Sequence, residues 1–189
     1  TQQISDYCVN FAKEHGLKYR QEECGNVIIW KDATPGYEQA PTVILQGHMD
    51  MVAVKEADCT LDLEKDGLLL EIDGDWVQAK GTSLGADDGI AVAYALTILA
   101  ADDIPHPTLE AVFTVGEEVG LTGATALDAS DLTGKILMNM DSENEGVFLI
   151  GCAGAATVAC CLPVHKENVS GQMVELHIDG LMGGHSGAE

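Results

Sequence analysis

The apolar positions follow two periods. Between residues 4 and 15, Ile4, Tyr7, Cys8, Phe11 and Ala12 recur at the i, i+3, i+4 spacing that lays a stripe along a helix, and Gly16 stands where such a helix ends. Residues 26–30 and 42–46 are instead short apolar runs with β-branched residues, read as strands, with the turn-rich residues 32–36 between them. The second run is almost continuously apolar, as expected of a central strand covered on both faces. Residues 68–72 and 76–78 flank Asp73 and Gly74, a hairpin signal. Residues 88–101 are small and apolar nearly all round, which predicts a buried helix. Buried strands over 108–115 and 135–140 follow, with a helix near 121–127 between them and further strands expected at 147–150, 156–162 and 173–178.

Strand, helix, strand, helix, strand in this order predicts an α/β domain, a mainly parallel sheet flanked by helices. The 189 residues can bury one sizeable core, and 46% of them are hydrophobic. No apolar run reaches the ~20 residues needed to cross a membrane, and no basic segment leads into an apolar one as in a signal peptide. A net charge of −22 argues against nucleic acid or an anionic membrane as partner. Of the six cysteines, no two form a C-x-x-C pair, so buried, reduced thiols in a cytoplasmic protein are expected rather than a disulfide framework or zinc ribbon.

Chemistry collects where the strand-like runs end. His48 and Asp50 close the run at 42–46, and Glu117 and Glu118 follow the run at 108–115. Asp141 follows the run at 135–140, and Asp87 opens the helix. Ligands of open α/β sheets gather at the carboxyl ends of the strands, so these segments are expected to converge on one rim. Carboxylate oxygens with an imidazole nitrogen suit zinc, manganese or cobalt, and a carboxylate can bridge two such ions. A glutamate beside a ligand glutamate can act as general base on water. The pattern points to a two-metal hydrolase of amide bonds.

The segments 46–52 (QGHMDMV), 81–90 (GTSLGADDGI), 113–120 (FTVGEEVG), 138–143 (MNMDSE) and 180–188 (GLMGGHSGA) resemble those of metallopeptidase family M20, most closely its dipeptidase branch. The resemblance implies a zinc-peptidase-like catalytic domain over 1–178, with a lid or dimerisation domain beginning at 179–189. It implies that Asp87 bridges two divalent ions, zinc by preference with cobalt or manganese as alternatives. His48 and Asp141 would complete one ion, and Glu118 would bind the other. The second ion would also need a histidine from beyond the lid, which these residues do not include. Asp50 would hydrogen-bond the imidazole of His48, and Glu117 would be the general base. His185 would reach an active site from the lid and stabilise the oxyanion, often across a dimer interface. The implied substrate is a small dipeptide, with histidine favoured at its C-terminal position, and the implied assembly of the full-length protein is a homodimer. Other M20-type activities (tripeptidase, aminoacylase, carboxypeptidase) and a non-catalytic metal-binding module are the alternatives. His15, His106, His165 and His177 match no motif of the family and are read as structural or surface residues.

Overall fold

The computed structural model of the protein describes residues 2–142, 144, 146–151, 154, 156, 158–168 and 170–180. Contacts divide the chain into Thr1–Glu145 and Gly146–Glu189. The first unit holds all the regular structure found among the described residues. Helix α1 (Gln2–Glu14) leads into strands β1 (Lys18–Gln21), β2 (Val27–Lys31) and β3 (Val43–His48). A hairpin, β4 (Leu70–Asp73) with β5 (Trp76–Ala79), precedes helix α2 (Ala86–Ala100). Strand β6 (Leu109–Thr114), the short helix α3 (Thr122–Ala126) and strand β7 (Ile136–Asn139) complete it.

Five strands form one mixed sheet in the order β1-β2-β6-β3-β7. The three that end at the candidate residues, β6, β3 and β7, run parallel. The two beyond β6 are antiparallel. Side chains alternate across the strands, so the sheet has two apolar faces. One carries Val27, Ile29, Leu45, Leu109, Ala111 and Phe113 and buries them against Cys8, Val9 and Ala12 of α1 and Val92, Ala95, Leu96 and Leu99 of α2. The other carries Ile28, Ile44 and Val112 under Trp30, Leu127 and Leu132. Gly47 lets α2 approach β3: a Cβ there would lie 2.6 Å from Cβ of Ala91 and 2.8 Å from the Asp88 carboxylate.

Several expectations change. Strand β1 was not legible, because its exposed Lys-Tyr-Arg-Gln carries no apolar alternation. Helix α2 is not buried all round. Asp88, Ala91, Val92, Ala95, Leu96 and Leu99 form one covered stripe, whereas Ile90 and Tyr94 are exposed. Strand β7 is exposed rather than buried, since it is the edge of the sheet and pairs on one side only. The runs at 147–150, 156–162 and 173–178 form no strand among their described residues, and apolar side chains such as Ile150, Met173 and Leu176 are exposed. Apolar residues make a strand only where another strand takes up their N–H and C=O groups. The cysteines are not uniformly buried either: Cys8 is, Cys59 is half-buried, and Cys24, Cys160 and Cys161 are exposed.

Two outcomes follow. Phe113 is fully buried, so Phe113→Ala is expected to cost about 3–5 kcal/mol in denaturant unfolding. Burial pushes the Cys8 thiol up to about 12, leaving almost no thiolate at neutral pH. Alkylation of the native protein, followed by peptide mass, should mark Cys24, Cys160 and Cys161 and spare Cys8 until the chain unfolds.

Candidate metal centre

Register puts the site together. In the parallel pairs His48 stands level with Thr114, and Gln46 with Asn139. Asp141, two residues past Asn139, therefore comes up beside His48, two residues past Gln46, and the loop after Thr114 rises next to both. The imidazole of His48 is buried. Its Nδ1 lies 2.9 Å from the carbonyl oxygen of Asp50 and donates to it. That leaves Nε2 facing Asp87 Oδ1 at 3.0 Å and Asp141 Oδ1 at 3.8 Å.

Asp50 holds the neighbouring segment. Its Oδ1 accepts the Glu117 N–H and its Oδ2 the Glu118 N–H, each at 3.1 Å. The same carboxylate lies 3.6 Å from His48 Nδ1. The backbone before Glu117 turns at Gly116 (φ +62), and the Glu pair leads into α3. Asp87 and Asp88 open α2 with non-helical backbone, joined by a cis peptide bond. Asp87 is exposed, whereas Asp88 is buried, with Oδ2 accepting the His48 backbone N–H at 3.2 Å and Oδ1 without a protein partner.

Two overlapping sets of donor atoms result. His48, Asp87 and Asp141 form one, and His48, Glu117 and Glu118 the other, with the donor atoms of each set within 4.8 Å of one another. Hard oxygens with one imidazole nitrogen fit a divalent cation of the zinc or manganese kind. The electrostatics favour positive charge there. Burial alone would lower the pKa of His48, but Asp141, Asp87, Asp50 and Asp88 outweigh it, and the imidazole holds its proton above the usual 6.5. Burial, then the charge of Asp87, pushes Asp141 up. Burial takes Asp88 to about 6. A lone pair on Nε2 facing two carboxylates is repulsive unless a cation stands between them, and a proton or a metal ion serves. The expected residues His48, Asp50, Asp87, Glu117, Glu118 and Asp141 are thus brought together in one cluster, while His185 lies outside the described residues.

Three supporting side chains escaped the sequence reading. Asp88 looks like a helix cap in sequence but lies buried under His48. Glu110 is a buried carboxylate in the middle of β6 that accepts from Thr133 N–H at 2.9 Å and Gly134 N–H at 3.0 Å, fastening the approach to β7. A charged residue inside an apolar strand was the available signal. Asn26, fully buried at the head of β2, is the third.

An imidazole and carboxylates gathered at the carboxyl ends of parallel strands define an α/β protein with a candidate metal centre. No family model matches the chain. It is 43% identical, over its whole length, to the cytosol non-specific dipeptidase of Escherichia coli (strain K12), of which it spans 39%. Among solved structures it is similar to the aminoacylhistidine dipeptidase of Vibrio alginolyticus, with a TM-score of 0.74 and 47% identity over 77% of this chain and 30% of that one. It is also similar to aminopeptidase PepT of Bacillus cereus ATCC 10987, with a TM-score of 0.57 and 30% identity over 72% of this chain and 38% of that one. The resemblance to the M20 peptidases is borne out over the length matched, which is well under half of each of these relatives.

The proton on His48 and a metal ion compete for Nε2. Because that proton is held above pH 6.5, zinc affinity should begin to fall on acidification before pH 6.5 is reached, with proton release on binding. Calorimetric titration in buffers of different ionisation enthalpy measures both, and a midpoint at or below 6.5 would contradict this electrostatic reading.

Proposed function

We propose that these residues carry the metal and base groups of a dinuclear-metal hydrolase that cleaves the peptide bond of small dipeptides, with Xaa-His substrates favoured. The observation that carries the reading is that two donor sets meet at His48, whose single free nitrogen can serve one ion, so a carboxylate would have to bridge to the second. Asp87 would bridge two divalent ions, zinc by preference. His48 and Asp141 would hold one and Glu118 the other. When bound, the ions supply Lewis acidity, polarising the scissile carbonyl and making water acidic.

The chain's own groups do the rest. Glu117 takes a proton from the attacking water and delivers it to the leaving amine. Its backbone N–H, like that of Glu118, is held by Asp50, so both carboxylates leave the same anchored turn. The Nδ1–H donated to the Asp50 carbonyl fixes the His48 tautomer that offers Nε2 to a metal. His185 is assigned to the oxyanion, from a lid domain beginning at 179–189 after a catalytic domain over 1–178. A homodimer in the cytoplasm is proposed for the complete protein. The E. coli relative's name, a cytosol dipeptidase, supports the compartment and the substrate class.

The PepT likeness favours a second reading, another amide hydrolase of the same chemistry with a different substrate. A panel of dipeptides, tripeptides and acylated amino acids separates the two. Glu117→Gln keeps the shape of the site and removes only the base, so it should leave zinc binding within about twofold of the parent while turnover of the complete protein falls by about 10²–10⁴. Turnover surviving in this variant would exclude Glu117 as the base.

A further inference from the structure

Glu117 and Glu118 sit on the loop 115–123, whose outer part no apolar packing holds: Val119 is 75% and Leu121 52% exposed. Polar closure holds it instead. The Gly123 N–H donates to Val115 O at 2.8 Å and the Thr122 N–H to Gly116 O at 2.9 Å, so the two ends of the loop meet. One buried amide spans that meeting point. Asn26 Oδ1 accepts the Val115 N–H at 3.1 Å, and Asn26 Nδ2 donates to Gly123 O at 2.9 Å. The second Nδ2 proton goes to Glu22 Oε2 at 2.7 Å. Glu22 is itself fixed through Oε1, which accepts from Arg20 and from the Asp128 N–H, each at 3.0 Å. The closure leaves no room for a side chain at Gly123, where a Cβ would lie 2.3 Å from Val115 O and 2.5 Å from Asn26 Oδ1. Leu121 is held in the left-handed region at φ 59, a conformation a non-glycine residue keeps only where its surroundings impose it.

We infer that Asn26 is a positioning residue for Glu117 and Glu118: its amide clamps both ends of their loop from outside the site, while Asp50 grips the same pair from within. The functional side of this inference rests on the roles proposed for the two glutamates. A group that only filled space could be apolar, whereas Asn26 spends its hydrogen bonds on the two loop ends and on an anchored glutamate. Without it, the buried Val115 N–H and Gly123 O lose their Asn26 partner, and the exposed outer part of the loop offers no apolar packing in exchange.

The test compares the parent protein with Asn26→Ala and with the milder Glu22→Gln, by amide hydrogen exchange and by cobalt(II) titration followed through the d–d absorption of the bound ion. The expected result is exchange about tenfold faster or more across residues 115–123 in Asn26→Ala, with β2, β3 and β6 protected as in the parent. The cobalt spectrum should change alongside it, and Glu22→Gln should shift both in the same direction by less. Faster exchange spread evenly over the sheet with an unaltered spectrum would overturn the inference, since that is what a merely structural residue gives. Unchanged exchange in both variants would overturn it as well. If the parent takes up no cobalt, the metal reading is what fails; exchange confined to 115–123 then supports the clamp, and its absence overturns it. Should Asn26→Ala not fold, Glu22→Gln decides by the same readings.

Discussion

The parallel register of β6, β3 and β7 is the constraint on which the rest depends. Because the three strands run the same way and stay in step, their carboxyl ends arrive together, and residues far apart in sequence meet within a few ångströms. His48 ends β3, Asp141 comes level with it beyond β7, and the loop carrying Glu117 and Glu118 leaves β6 beside them. The core on the α1–α2 face, centred on Phe113, Leu45 and Leu99, keeps that register. Hydrophobic burial therefore contributes to the site indirectly, by fixing which acids become neighbours.

What it brings together favours a cation among them. Burial and neighbouring negative charge push Asp141 up, and burial pushes Asp88 up. The imidazole among them holds its proton against the tendency of its own burial. The fold carries this electrostatic cost locally and opposes it with backbone donors: Asp50 takes two amides from the glutamate turn, and Asp88 takes one from His48. A second ring of buried polar side chains, Asn26 behind the glutamate loop and Glu110 before β7, ties down the segments that present the charges. The site is thus built in two layers, an inner one that attracts cations and an outer one that holds the inner layer still.

Much of this was legible in the chain, for physical reasons that can be named. Buried parallel strands have to be apolar along their length, so the runs ending at His48 and before Glu117 stood out, and so did the acids at their ends. The hairpin at Gly74 and the stripe of α1 were equally plain. Strand β1 was silent because an exposed edge strand needs no apolar pattern. The apolar runs beyond residue 146 read as strands, but apolarity alone supplies no pairing partner. The outer polar layer was hidden for a different reason. Asn26, Glu110 and Asp88 act through hydrogen bonds to backbone groups that only the folded chain brings near, and nothing in their local sequence announces those partners.

Under the proposed function these carboxylates and one imidazole would hold two ions through a shared Asp87. Zinc content of the protein after saturation and dialysis, measured beside Asp87→Ala, tests it most directly. For the complete protein the account predicts about two zinc ions per chain in the parent and loss of both in the variant. An ion retained at undiminished affinity in Asp87→Ala would contradict it.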